Sequence, residues 1–202
     1  MRGLRTIAYV SIAVLVVSML AIGAVSAKAG YGVNGKMQND NGVCLYVSTP
    51  GTTVQATGLT DEEIEDLQYL REEEKLARDV YSCLYKEWNM PIFNNIAMSE
   101  QKHTDAVKSL LDRYGVADPA AETEPGVFTN DELQKLYDQL IIQGKESRQK
   151  ALNVGVLIEK TDIKDLNNAI PTTTHKDIKT VYSNLLQGSY NHLSAFTKLG
   201  GV

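Results

Sequence analysis

Residues 91–115 read PIFNNIAMSEQKHTDAVKSLLDRYG. Ile92, Ile96, Glu100, His103, Val107, Leu110 and Tyr114 follow one another at steps of three or four, so they share a single helical stripe. Pro91 suits the first helical position and Gly115 a helix terminus. The stripe is apolar at both ends and ionisable in its middle, where a helix packed among neighbours should be driest.

The pattern recurs on both sides of this segment. The first long helix opens at the capping box Thr60-Asp61-Glu62-Glu63 and runs to about Trp88. Its seam is Leu67, Leu70, Glu74, Ala77, Tyr81, Leu84 and Trp88. A third long helix, about 145–168, places Leu152, Gly155, Glu159, Asp162 and Leu166 in register. A fourth, about 174–199 and stopped by Gly200-Gly201, places Leu185, Ser189, His192, Phe196 and Leu199. Prolines at 91, 119, 125 and 171 punctuate these helices. The first and last connections are short, which makes antiparallel neighbours. The middle one takes about 30 residues and holds a short helix, capped by Thr129 or Asn130 and ending at Gly144. The expected fold is all-α: a four-helix bundle over residues 59–202 with one long crossover between its two hairpins, which is the ferritin-like arrangement, although topology alone leaves cytokine-like and simple up-down bundles open.

Every seam is therefore interrupted by acid or imidazole. An ionised carboxylate without partners inside a bundle costs several kcal/mol, so something must compensate it. Glu74, Glu100, Glu159 and Asp162 carry four negative charges, which two divalent cations would neutralise, with His103 and His192 as neutral nitrogen donors. Glu100-Gln101-Lys102-His103 is a Glu-x-x-His element, which sets two ligands one turn apart on one face. Carboxylate and imidazole without thiolate suit iron, with manganese as the alternative, better than copper or structural zinc. A buried Tyr81 hydroxyl needs a partner, and a ligand carboxylate is the obvious one. Arg78, one turn from Glu74, either neutralises charge beside the ligands or lies on the surface. Glu72 and Glu73 fall off the seam and read as a solvated face. Cys83, also off the stripe, reads as structural, and His175 as a surface or capping residue. Counted inward from the last connection, His192 lies about two turns deeper than Glu159. Bringing the two level requires an irregular turn or an irregular start to the last helix.

The chain has 202 residues, 20 basic and 25 acidic, for a net charge of -5. The acidic balance argues against nucleic acid as a partner. Two cysteines, Cys44 and Cys83, cannot form a four-thiolate metal site. Residues 1–27 pair Arg2 and Arg5 with an apolar run and the small residues Ala24-Val25-Ser26-Ala27, the pattern of an export signal. The run is also long enough to serve as an uncleaved anchor. Either reading places the rest of the chain outside the cytoplasm, secreted or membrane-anchored, with membrane contact only through this segment. A Cys44–Cys83 disulfide is permitted there without being required. Residues 28–58, rich in Gly, Asn, Ser and Thr, read as a tether, with one short β-like run at 43–47.

From Leu59 to Leu199 the chain resembles the rubrerythrin branch of the ferritin-like superfamily, and within it an uncharacterised domain family of unknown function. Glu74-Lys75-Leu76-Ala77-Arg78-Asp79-Val80-Tyr81 is similar to that branch's first-helix pattern, Glu100 and His103 to its Glu-x-x-His, and Glu159 with Asp162 to its third-helix acidic pair. The last helix departs from the pattern: Ser189-Tyr190-Asn191-His192 keeps only the His of a second Glu-x-x-His. The resemblance implies a di-iron carboxylate site whose second position lacks a carboxylate, with Asp162 or water in its place. It implies oxidoreductase chemistry of ferroxidase or peroxidase type. Without a rubredoxin-like module, electrons would come from an external donor or from incoming Fe(II). A homodimer is a fold-level expectation. The competing expectations are a non-catalytic envelope protein with a degenerate metal site and a partner-binding bundle with a metal-free polar core. Hydrolase motifs such as G-x-S-x-G and H-E-x-x-H are absent, as is a phosphate loop.

Overall fold

The computed structural model describes residues 58–202, which form five α-helices and, among the described residues, no strand. These are α1 (Asp61–Trp88), α2 (Pro91–Tyr114), α3 (Asp131–Gly144), α4 (Arg148–Ala169) and α5 (Lys176–Lys198). None of them is long and apolar enough to cross a membrane. The leader, the tether, its β-like run and any Cys44–Cys83 bond lie outside the described residues. Cys83 is half-buried and carries no disulfide among them.

Local chemistry fixes the ends. At α1 the capping box closes in both directions: the Glu63 amide donates to Thr60 Oγ1 (3.2 Å), and the Thr60 amide donates to Glu63 Oε2 (2.8 Å). Asn89 ends α1 in the left-handed region at φ 50°, and Pro91 starts α2 two residues later, so the two helices turn back on each other. Asn130 rather than Thr129 caps α3, accepting from the amides of Glu132 and Leu133. Ser147 caps α4, which begins three residues after the expected Lys145.

Around the core the long helices touch in the cyclic order α1, α2, α5, α4, with α1–α2 and α4–α5 the more extensive contacts, while α3 lies on α1 and α4. The interior divides into two apolar clusters. One gathers Leu76, Val80, Tyr81, Leu84, Phe93, Ile96, Val154, Ile158 and Phe196, and the other Leu67, Leu70, Val107, Leu110, Leu166, Tyr182 and Leu185. On every long helix the ionisable seam residues fall in the interval between the clusters, so they form one belt across the domain. Leu199, expected on the α5 seam, is instead exposed, because α5 has already ended at Lys198.

Alignment across α4 and α5 is achieved without an irregular helix. The offset is taken up by residues 170–175, which continue along the domain before α5 turns back. Thr172 bonds Asp66, Thr173 bonds Glu63, and Asp177 accepts from Tyr114 at 2.9 Å. At 1.5 Å per residue, starting α5 beside Tyr114 brings His192 level with Glu100 and Glu159.

The long crossover is held by charged residues of α1. Arg71 forks onto Asp118 (3.1 Å), and Glu72 accepts from the amides of Thr129 and Asn130 (2.6 and 3.0 Å). Lys75 donates to Asp79 (2.9 Å) and to the carbonyls of Glu124 and Val127, and it lies over the Phe128 ring. Asp79 also accepts from the Gly126 amide. The expectation of a solvated Glu72 is thus overturned: α3 and the crossover pack on the side of α1 that the seam does not use.

Candidate metal centre

Two groups of carboxylate and imidazole share one residue at the middle of the belt. Glu74, Glu100 and His103 form the first, and Glu100, Glu159 and His192 the second, each with its nearest ligand-type atoms within 4.8 Å of one another. Glu100 therefore bridges them, with one oxygen toward each imidazole. His103 Nδ1 stands 2.7 Å from Glu100 Oε2 and 3.2 Å from Glu74 Oε2, while His192 Nδ1 stands 2.7 Å from Glu100 Oε1 and 3.5 Å from Glu159 Oε2. The two rings stack at 5.5 Å between centroids. The i, i+3 spacing of Glu100 and His103 puts both on the inner face of α2. Tyr81 supports Glu159 from α1, its hydroxyl donating to Oε1 at 2.6 Å. Gly188 lets α5 approach, since a Cβ there would stand 2.6 Å from His103 Cε1.

Short distance is not the same as satisfaction. Both oxygens of Glu100, Oε2 of Glu159 and Nδ1 of His192 are buried without an aligned hydrogen bond, although Glu100 and His192 approach to 2.7 Å. No lysine or arginine answers them: Arg71, Lys75 and Arg78 are engaged with Asp118 and Asp79.

The electrostatics carry the same message. Burial pushes Glu74 up to about 8 and Glu159 up to about 7. Burial also opposes the charge on Glu100, yet the adjacent His103 and His192 outweigh it and hold Glu100 at about 2. Burial alone would lower the imidazoles, but the carboxylates raise His103 to about 10 and His192 to about 9. Without a bound cation the belt balances itself by retaining protons.

The remaining predicted residues are placed as follows. Asp162 is buried one turn from Glu159 with neither oxygen bonded, and it belongs to neither group. Ser189 is buried but donates back to the Leu185 carbonyl (3.1 Å) within its own helix. Arg78 does not reach the belt; it pairs with Asp79 (2.8 Å) and donates to Gln101 (2.8 Å). His175 is half-buried against Tyr114 at the far end of the domain.

One belt residue escaped the stripe reading. Glu73, expected in solvent, is 4% exposed with Oε2 unbonded. Burial, with the neighbouring charges of Asp165 and Glu74, pushes it well above the carboxylate range. From Leu70 to Ala77 every residue of α1 is buried, because α2, α3 and α4 enclose it. The run of three acids was the available signal, since both of its other members are buried too.

Fold and site together define an all-helical domain with a buried belt of carboxylates and imidazoles. The chain belongs to the family described as uncharacterized protein domain DUF2202, whose model matches residues 63–199. It is 50% identical over 141 residues to the uncharacterized protein MJ0754 of Methanocaldococcus jannaschii, a match covering 70% of this chain and 76% of that one. The crystal structure of the hypothetical protein MJ0754 from Methanococcus jannaschii DSM 2661 superimposes with a TM-score of 0.69, covering 70% of this chain and 81% of that chain.

Proposed function

We propose that the domain is a ferritin-like metal-binding protein whose belt holds two divalent cations, one in each group, with Glu100 between them. The reading is carried by the two groups meeting at Glu100, with both Glu100 oxygens, Glu159 Oε2 and His192 Nδ1 buried without an aligned hydrogen bond and with no lysine or arginine paired to them. The order of helix contacts and the long crossover support a ferritin-like four-helix bundle of the rubrerythrin type. Glu74 and His103 would hold one ion, Glu159 and His192 the other. Mixed oxygen and nitrogen donors favour iron, with manganese next.

Bound iron would supply one-electron chemistry toward oxygen or peroxide, the basis of an oxidoreductase activity with an external electron donor. The chain's own residues set the conditions for it. The carboxylates act as ligands, and Tyr81 fixes Glu159 through its hydroxyl. The apolar clusters on both sides keep bulk water from the belt. Ser189, turned onto its own helix, leaves the α5 side short of a carboxylate. That feature supports the second reading, a metal-binding envelope protein without turnover. The leader pattern supports export, secreted or anchored.

Anaerobic titration with Fe(II), followed by iron analysis per chain, tests the proposal. Two irons per chain are expected. One would reduce the site to a mononuclear one, and none, with manganese and zinc also unbound, would leave a polar-cored structural bundle.

A further inference from the structure

We propose that the end of the bundle farthest from Gly58 docks on a bilayer of anionic phospholipid. The proposal is independent of the metal centre and adds a second membrane contact to the one expected of the leader.

Five helix ends meet there. α1 stops at Trp88 and α2 starts at Pro91, while α3 stops at Gly144 and α4 starts at Arg148. The Trp88 indole N–H donates to the Gly144 carbonyl (2.8 Å), which joins the first pair to the second. The Gln149 amide side chain donates to the Gly200 carbonyl (2.6 Å), which adds the end of α5. The opposite end holds the start of α1 and of α5, tied together where Thr173 bonds Glu63.

The two ends differ in charge. Lys86, Lys145, Arg148, Lys150 and Lys198 are all exposed, against Glu87 and Glu146, in a chain that carries more acid than base. None of these cations forms an ion pair among the described residues, whereas Lys108 and Arg113 toward the opposite end pair with Asp112 and Asp177 at 2.7 Å. Lys86 and Lys198 complement the negative ends of α1 and α5. Arg148 and Lys150 do the reverse: they stand in the first turn of α4, where the helix dipole favours acid and disfavours positive charge. Helix stability therefore does not account for them. Neither α2 nor α4, which start at this end, has an acid in its first turn, while α1 and α5, which start at the other, both do.

Apolar side chains stand among the cations. Ile142, in the last turn of α3, is 70% exposed, and Leu199, which caps α5, is 54% exposed. Half-buried Trp88, Met90 and Ile92 lie where α1 gives way to α2. Separate apolar tips among lysine and arginine do not make the packed, charge-depleted centre of a protein interface. They suit a bilayer surface, which admits apolar tips into the headgroup layer while the cations meet phosphate. Residues 28–58 do not hold this end away from a membrane: they can span about 100 Å, against about 42 Å for the 28 residues of α1.

Trp88 is the one tryptophan of the chain and stands at the docking end, so its fluorescence reports the contact. The full chain is mixed with vesicles of acyl-brominated phosphatidylcholine, either alone or in equal parts with phosphatidylglycerol. A leader that inserts holds the chain on both kinds of vesicle, so quenching of Trp88 reads how the domain lies rather than whether it is attached. Strong quenching is expected on the anionic vesicles and little on the neutral ones. Salt near 1 M, where the screening length is about 3 Å, should remove most of it. Arg148→Glu with Lys150→Glu should do the same: each cation at an anionic surface favours contact about fivefold, so reversing two shifts the balance by at least about 25-fold. Acid in that turn suits the helix dipole, so this variant should melt no lower than the wild type. Ile142→Ser, which leaves the charge unchanged, should weaken the quenching on anionic vesicles. Equal quenching on both kinds of vesicle, quenching on neither, or full quenching of the folded charge-reversed variant overturns the proposal. So does vesicle-free self-association that the same variant abolishes in sedimentation, because the end would then be an interface between copies of the chain.

Discussion

Two faces of the same helix turn treat buried charge in opposite ways. Arg71, Glu72 and Lys75 look toward the crossover, where each finds charged or backbone partners at hydrogen-bond distance. Glu73 and Glu74, between them in sequence, look toward the belt, where Glu73 keeps an unbonded oxygen and Glu74 meets one imidazole at 3.2 Å. The first set is complete as it stands and acts as a clamp. The second holds its charge in check by protonation, which a cation can replace. Burial alone does not separate a structural charge from a ligand; the pairing does.

That contrast can be broken first at the clamp. Lys75→Met removes one of the partners of the buried Asp79, which keeps Arg78 and the Gly126 amide, and should cost about 1.5–3 kcal/mol. The loss should be equal with and without Mn(II), as read from urea unfolding; a loss that metal reverses would place Lys75 in the belt's chemistry. On the other face, Glu74→Gln mimics the protonated carboxyl and should leave metal-free stability within about 1 kcal/mol. It should abolish the part of the metal-induced gain that comes from the Glu74–His103 group, about 2.7 kcal/mol at a metal concentration a hundredfold above that group's Kd.

Titration sharpens the comparison. In the metal-free protein Glu74 and Glu159 have pKa values raised to about 8 and 7, so the native state holds protons that the unfolded chain releases above its ordinary carboxylate range. His103 and His192, raised to about 10 and 9, stabilise the fold fully below about 6.5 and lose that contribution as pH rises through the raised values. The two carboxylates make metal-free stability fall between about pH 4.5 and 8, and the two imidazoles between about pH 6.5 and 10. Metal binding needs the deprotonated ligands, so saturation should flatten or reverse the slope. Thermal melts across that range with and without Mn(II) would show both, and a common slope would count against the metal centre.

Smaller effects are expected elsewhere. Tyr81→Phe removes the 2.6 Å bond to Glu159 and should cost about 1–2 kcal/mol while weakening metal binding at the Glu159–His192 group, as measured by calorimetric titration. Lys108→Ala breaks only an exposed pair with Asp112 and should change stability by less than about 0.5 kcal/mol, with metal binding untouched.

Much of the belt was legible because a helix repeats its faces. Glu74, Glu100, His103, Glu159, Asp162 and His192 all stand on apolar stripes, and all are buried or nearly so at one level of the domain. Glu73 was missed because a stripe assigns each helix one inner face, whereas α1 is enclosed on three sides. Arg78 was ambiguous for the converse reason: one turn from Glu74 along the helix, it is rotated far enough to meet Asp79 and Gln101 instead.

By itself, the sequence determined where helices begin and end, because caps, prolines and terminal glycines act within a few residues of themselves. It also determined that acid and imidazole would interrupt every seam, since periodicity is a local property of the chain. The tertiary structure alone decided that Glu100 would serve both imidazoles, that residues 170–175 would bring His192 level with Glu159, and that Glu72 would be paired while Glu73 was not. Those outcomes depend on how far one helix slides along another and on what covers its second face, and no local interaction fixes either.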